Sequence, residues 1–436
     1  MLCSFRNILV SRRLNTHFGV NLVRQSHQAS PASYPCPQIS FPPPQFDYDF
    51  LLNPENIEKM RKNISLRKSD ADLDEVLRLH TQFSASGDEE VGQKLLEATR
   101  KLPNMCAEKV LQMGDNNRTL YESPVEPPTF KLRKFEEIAR ILSGGRLTNL
   151  GNLTGERTYY LTGPLAELEQ ALVQWTVARL VAAGFSLLSV PDLLHPEVIA
   201  ACGMTVGGER TQVYELEPHY GQVALSGTSE MAVGGFLAGK TIPGERRYCA
   251  VSRCFRAETG RQGEERGLYR VHQFTKVEMF CVTPPHLSQA ALEDVLSLER
   301  TLFSELGLAF RVLEMCGEEL GSPASQKFDI EAWLPGRASW GEISSCSNCT
   351  DYQARRLNIR DPAGGHCHTV NGTGCAVPRM LIAICEQNQT ENGSVIIPDT
   401  LRPYMRNREM MEPKPKKQRL HFQYLTSAKY FEKNKI

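Results

Sequence analysis

Two stretches of two-residue alternation, joined by a charged loop, constrain the fold of this chain more than any other part of its sequence. In RYCAVSRCFRAE (247–258), Cys249, Val251, Arg253, Phe255 and Ala257 hold one parity, and Ser252, Cys254, Arg256 and Glu258 the other. In LYRVHQFTKVEMF (268–280), Tyr269, Val271, Val277 and Met279 oppose Arg270, His272, Phe274, Lys276 and Glu278. Period two marks a strand with one face that packs and one that carries polar groups. Between them TGRQGEERG holds three glycines and most of the charge, which suits a loop and not a helix interior. The reading is strand, loop, strand.

A polar strand face bearing Arg256, Glu258, Phe274 and Glu278 suits a nucleotide and a small zwitterion. Arginine offers a fork to carboxylate or phosphate, glutamate accepts from an ammonium, amine or hydroxyl, and an aromatic ring stacks on a base. The competing reading is a lattice of structural ion pairs. Elsewhere, short β-type runs alternate with a few helices between 211 and 400. ELEQALVQWTVARLVAAGF (167–185) forms an amphipathic helix ending at Gly184, and SLLSVPDLL a short buried strand broken at Pro191. The fold class is α+β, with a large, mostly antiparallel sheet flanked by helices.

Residues 53–102 have a different texture. NPENIEKMRKNISLRK begins with an Asn cap and Pro in the first turn, SDADLDEVLRLHTQF with a Ser cap, and DEEVGQKLLEATRKL with acids leading and bases trailing. SASG (84–87) is the expected turn of this small helical unit. The Pro-rich segment 31–52 is expected to be extended and unpacked. Residues 1–30 contain Arg6, Arg12, Arg13 and Arg24, no acid, and apolar residues Leu2, Phe5, Ile8, Leu9 and Val10 on one helical face. That composition is the one a mitochondrial transit peptide requires. The whole chain has zero net charge, so loss of those four arginines would leave it near −4. A nucleic-acid partner must then be met by local patches. The 406–436 tail is basic and includes PKPKKQR. The 13 cysteines lack a disulfide-framework spacing, as suits a reducing compartment, and no apolar run is long enough to predict a membrane span.

Several ordered motifs, over roughly residues 102–405, resemble the seryl-tRNA synthetase family of class II synthetases, and with the presequence its mitochondrial form. FRAET followed by GLYRVHQFTKVEMF resembles motif 2, GTSE (227–230) the serine-binding Thr-x-Glu, and GEISSCSNCTDYQARR (341–356) the nucleotide-binding strand. NGTGCAVPRMLIAICEQNQ (371–389) resembles motif 3, and GFSLLSVPDLL (184–194) motif 1, whose Pro lies at a homodimer interface. The resemblance implies a catalytic domain at 103–405 that joins serine to ATP as seryl-adenylate and passes the seryl group to mitochondrial tRNA(Ser) in the matrix. By that resemblance Arg256 binds the serine carboxylate and α-phosphate, Glu258 reads the adenine amino group, and Phe274 stacks on adenine. Arg379 holds the γ-phosphate, and Glu342 ligates Mg²⁺ with Ser345. Thr228 and Glu230 take the substrate ammonium, and Glu278 with Thr373 bonds the serine hydroxyl. Ser229 belongs to the serine site, and Ala257, Val271, Ile343 and Ser344 to the ATP site.

Two features depart from that pattern. Cys346 and Cys349 form CxxC, with His366, Cys367 and His368 following, a spacing that could complete a zinc site; the resemblance implies none. The family's N-terminal coiled-coil arm, which grips tRNA, has only residues 53–102 in its place, and helices of about 15 residues reach only ~22 Å. Three accounts compete: a truly shortened arm with the basic tail compensating, an arm missing a segment, or a serine-activating paralogue with another acceptor. A non-catalytic structural paralogue is a further alternative, which the presence of Arg256, Glu258, Glu342 and Arg379 disfavours.

Overall fold

The computed structural model describes residues 43–147, 153–208, 211–217, 221–258 and 267–413. The expected presequence, most of the 31–52 linker, the 259–266 loop and the PKPKKQR tail lie outside the described residues.

An eight-stranded sheet is built from β1 (Arg118–Glu122), β2 (Ser186–Leu188), β3 (Arg246–Phe255), β4 (Gln273–Thr283), β5 (Phe310–Glu314), β6 (Gln326–Leu334), β7 (Ser339–Thr350) and β8 (His368–Ala376). Its order is β1-β5-β6-β7-β8-β4-β3-β2, antiparallel throughout except for the β2–β3 pair. The α+β expectation holds. β3 and β4 are the two alternating stretches, but the first ends at Phe255, so Arg256 and Glu258 follow the strand and do not lie on it, and the second begins at Gln273, because Gly267–Tyr269 is a turn of 3₁₀ helix.

The helices that position the site and its surroundings include α1 (Pro54–Leu66), α2 (Leu73–Ser86), α3 (Glu89–Arg100), α4 (Pro164–Ala182), α5 (Ser229–Leu237), α6 (Ser288–Glu305), α7 (Tyr352–Leu357) and α8 (Val377–Gln387). One sheet face packs on α4, α6 and α8 through Leu172, Trp175, Val295, Phe303 and Leu381. Part of the other face packs on α5 and α7 through Val233, Leu237 and Leu357. β4 divides its side chains as its alternation predicts: Val277, Met279 and Cys281 enter the first core, Phe280 and Val282 the second. Phe274, Lys276 and Glu278 continue the second face beyond its apolar cover. There the site forms.

Two β-bulges re-aim side chains toward that opening. Ile330 pairs with Ser344 but Glu331 with Glu342, which makes Ile343 an extra residue in β7. Thr373 pairs with Glu278 but Cys375 with Val277, which makes Gly374 an extra residue in β8. Each extra residue reverses the alternation downstream. Glu342 thereby joins Ser345, Ser347 and Cys349 on one face, while Ile343 and Cys346 enter the core behind.

Several expectations need correction. β2 is an edge strand, not a buried one, with Leu187 56% exposed. α4 starts at Pro164, three residues before the expected helix, because Gly163 turns the chain at φ +56°. Ser84–Ser86 continue α2, and only Gly87, at φ +64°, makes the turn. α2 is capped by Asp72 and not by Ser69. The end of the linker is packed: Tyr48–Leu52 forms a helical turn capped by Asp47, and the Gln45 amide bonds to the Arg355 carbonyl. The packed structure of the sheet domain continues past 405, since Met410–Met411 pairs with Val395–Ile396.

The helical unit has its own core of Met60, Leu73, Val76, Leu79 and Leu95. It is tied to the sheet domain by polar groups. Arg67 donates to the carbonyls of Gly321 and Ala324, Asn63 and Asn104 bridge to backbone, and Arg356 reaches the carbonyls of Arg100 and Leu102.

Candidate active site

Two adjoining cavities open on the uncovered sheet face. The first, about 560 Å³, is lined by Thr228, Glu230, Arg256, Glu258, Lys276, Glu278, Lys327, Ser345, Cys349, Asn371 and Thr373, among others. The second, about 490 Å³, adds Tyr269, Val271, Phe274, Glu342, Ile343, Ser344 and Arg379. Arg256, Glu258, Lys276, Lys327, Ser345 and Thr373 belong to both. The cavities therefore meet at a junction rich in positive charge.

The first cavity is floored by β4 and β8. Thr373 Oγ1 donates to Glu278 Oε2 at 3.2 Å, and Lys276 Nζ lies 2.5 Å from the same oxygen. Oε1 is left for another donor. Burial pushes the Glu278 carboxyl up to about 7, against the pull of Lys276. Glu230, in the first turn of α5, accepts from Gln353 Nε2 at 2.5 Å and Asn371 Nδ2 at 2.8 Å, both on Oε1. Burial raises its carboxyl, and those two amides work to lower it. Thr228 caps α5, its Oγ1 accepting the Glu230 amide at 3.3 Å.

At the junction, four cavity cations are paired with carboxylates: Arg270 with Glu258 at 2.6 Å, Lys276 with Glu278, Lys327 with Asp329 at 2.8 Å, and Arg379 with Glu342 at 3.1 Å. Arg256 differs. Its Nε reaches only the Gly227 carbonyl, at 3.4 Å, and its guanidinium lies over the Phe274 ring at 5.3 Å. Among the described residues it has no carboxylate partner, which leaves its fork for an anion. The enclosed setting disfavours charge on Glu342, but Arg379 and then Lys327 outweigh it and hold its carboxyl down at about 2. Glu342 and Ser345 thus offer hard oxygen donors, an ionised carboxylate beside a hydroxyl, which is the donor set Mg²⁺ takes alongside phosphates. Arg379 also lies over the Tyr269 ring, at 4.6 Å.

Glu258 stands at φ +47°, in the left-handed region that non-glycine residues seldom adopt. Arg157 donates to its carbonyl at 2.8 Å and Arg270 to its carboxylate, which fixes the turn out of β3. Strain held by two arginines beside a cavity marks a functional position.

Three expected residues do not face the cavities as read. Ser229 is 1% exposed, its Oγ has no partner, and it lines neither cavity, because Thr228 and not Ser229 occupies the cap position. Ala257 is absent from both linings and bonds through its amide to the Gln212 carbonyl. Ile343 borders the second cavity, but its side chain belongs to the core behind. The Ser344 hydroxyl is committed to the Thr373 carbonyl at 2.6 Å. Conversely, Lys276, Lys327, Gln353 and Asn371 were not singled out as site residues. The alternation in QKFDIEAW, Lys327, Asp329 and Glu331 against Phe328, Ile330 and Ala332, carried the signal for Lys327.

The CxxC does not gather a metal set. Cys346 enters the core beside Glu299, Cys349 lines the first cavity, Cys367 Sγ bonds to the Arg360 carbonyl and His368 to Ser288. Among the described residues no group of three or more His, Cys, Asp or Glu converges on one point.

Residues 238–388 match the family model described as the tRNA synthetase class II core domain (G, H, P, S and T). The chain is 45% identical over 319 residues to a mitochondrial serine–tRNA ligase of Bos taurus, covering 70% of this chain and 61% of that protein. It is 39% identical over 334 residues to a serine–tRNA ligase of Rubrobacter xylanophilus, covering 74% of this chain and 78% of that protein. It therefore spans less than two thirds of the bovine relative and more than two thirds of the bacterial one. Among solved structures, that of a seryl-tRNA synthetase from Pyrococcus horikoshii complexed with ATP superposes with a TM-score of 0.78 at 27% identity, covering 85% of this chain and all of that one.

Proposed function

This chain belongs to the seryl-tRNA synthetases, and from that premise we propose that it activates L-serine with ATP and transfers the seryl group to mitochondrial tRNA(Ser). The observation that carries the proposal is the pair of cavities joined at Arg256. One is furnished for a small hydroxylated zwitterion, the other for a nucleotide.

In the first step a serine carboxylate oxygen attacks the α-phosphorus, the bond from that phosphorus to the bridging oxygen breaks, and pyrophosphate leaves. The nucleophile is already ionised at neutral pH, so no general base is needed. Placement and charge neutralisation do the chemistry. Glu230 and Thr228 take the ammonium, Glu278 Oε1 and Thr373 the hydroxyl, and Arg256 orients the carboxylate against the α-phosphate. Phe274 stacks on adenine, Glu258 reads its amino group, and Arg379 holds the γ-phosphate. Glu342 and Ser345 would hold Mg²⁺, which when bound offsets charge on the phosphates. Lys276 and Lys327 add positive charge at the junction. In the second step a ribose hydroxyl at the tRNA end attacks the seryl carbonyl and AMP leaves.

The dimer expected from the family is supported by apolar residues exposed on and near the edge strand: Val181, Leu187, Leu193 and Phe236. Residues 1–30 as a transit peptide, and the mitochondrial names of relatives, support a matrix location. No helix among the described residues is long and apolar enough to cross a membrane.

One observation favours a second reading, serine activation with impaired tRNA binding. α2 has 14 residues, about 21 Å of helix. We read residues 53–102 as a shortened arm and 406–436 as a basic tail available to tRNA phosphates. Serine-dependent ATP–pyrophosphate exchange, followed by charging of mitochondrial serine tRNAs, separates the readings. Exchange with charging is expected; exchange without charging assigns the defect to the arm, and no exchange overturns the enzyme reading.

A further inference from the structure

The segment DYQARR follows the strand that carries Glu342 and Ser345, yet its glutamine reaches across to the other cavity. Gln353 is fully buried on α7. Its Nε2 donates to Glu230 Oε1 at 2.5 Å, and its Oε1 accepts from the Thr369 hydroxyl at 2.7 Å. Thr369, on β8, is also fully buried. A side-chain amide is ambiguous until its neighbours choose an orientation. An ionised Glu230 can only accept, so the NH₂ faces it, and the Thr369 hydroxyl, donating to Oε1, holds the amide in that orientation. Asn371 Nδ2 adds a second donor to the same carboxylate oxygen. With Oε1 doubly bonded, Oε2 is the oxygen left for a ligand.

We propose that Gln353, oriented by Thr369, is a positioning residue that presents Glu230 Oε2 to the ammonium group of the amino-acid substrate. The inference rests on the serine-activating reading and extends it to a residue behind the cavity wall. Gln353 touches no substrate; it acts through Glu230. From neighbouring elements, Lys276 and Arg256 face Glu230 and favour its charge. Glu278 opposes it, and the buried Cys202 and Cys349 thiols lie nearby with their ionisation suppressed. A hydrogen bond to an ionised carboxylate favours the ionised form. Loss of the Gln353 donor therefore lowers the ionised fraction of Glu230 at a given acidic pH.

The test is serine-dependent ATP–pyrophosphate exchange by the full chain carrying Gln353→Leu. The serine KM is expected to rise roughly ten- to a hundred-fold, the range for removing a hydrogen bond to a charged group. The ATP KM should stay within about threefold, and the acidic limb of kcat/KM for serine should move to higher pH. Thr369→Val should shift both serine readouts the same way by less, and Thr369→Ser, which keeps the hydroxyl, should restore them. If Gln353→Leu does not fold, the Thr369 pair carries the test. Unmoved serine KM and pH limb, or equal rises in serine and ATP KM, would overturn the inference while leaving the enzyme reading intact. Absence of exchange from the unsubstituted chain would overturn both.

Discussion

Replacing Arg256 by lysine keeps the charge but removes the fork, and Arg256 is the junction cation with no carboxylate partner among the described residues. Arg256→Lys should leave the fold unchanged and lower kcat in pyrophosphate exchange by about 10²–10³, measured at saturating serine and ATP. Glu278 makes a different prediction. Its carboxyl stands at about 7, above its ordinary 4.5. It is protonated below that point and would then lose its strength as an acceptor for the hydroxyl of the proposed serine substrate. At limiting serine, exchange should fall roughly tenfold as pH drops from about 8 to about 6. Glu278→Gln should give a low, flat profile over that range and lose most of the discrimination against alanine, which a hydroxyl-bonding site can set near ~10⁴. A profile as steep as that of the unsubstituted chain would assign the titration to another group.

At the scale of elements, the bulges in β7 and β8 place more of the chemistry than the strands themselves. Gly372, next to the second bulge, lies where an added Cβ would stand 2.4 Å from Val295 and 2.9 Å from Glu299 on α6. Gly372→Ala should push β8 off that helix. We expect a loss of about 1–3 kcal/mol in denaturant unfolding and, because Thr373 moves with the strand, a higher serine KM. The bulges also explain how much of the site was legible. Phe274 and Glu278 could be read from parity because β4 alternates regularly where it bears them, and Arg256 because it directly follows β3 with its amide still bonded to the His272 carbonyl. By contrast, Glu342 and Ser345 have opposite parity, and only an extra residue at Ile343 reconciles them. No periodicity predicts that; the resemblance of GEISSCSNC to a known strand supplied it. Gln353 was hidden for another reason, since it serves the site through a helix separated from Glu230 by more than a hundred residues of chain. The edge position of β2 was missed because an apolar run reads alike whether it is buried by its own chain or left for another.

At the scale of the whole molecule, that edge makes a prediction about assembly. Val181, Leu187, Leu193 and Phe236 are each between 46% and 56% exposed, large apolar side chains of the kind that an interface would cover. Leu187→Asp should convert a dimer to a monomer in sedimentation or light scattering. An unchanged mass would remove the edge strand from the interface. The helical unit raises the complementary question of reach. Its core is separate, but Arg67 fixes it to the Gly321–Ala324 turn, and Gly321 borders both cavities.

The junction, finally, carries its own counter-ions. Arg270, Lys276, Lys327 and Arg379 each meet a carboxylate of the protein, so binding of the proposed ATP would exchange partners and create few new ones. Much of the triphosphate's electrostatic attraction would then be offset by the pairs it displaces. Raising ionic strength from about 0.05 M to about 0.5 M shortens the screening length several-fold, and should weaken the ATP KM modestly while leaving that of serine, a neutral zwitterion, nearly constant.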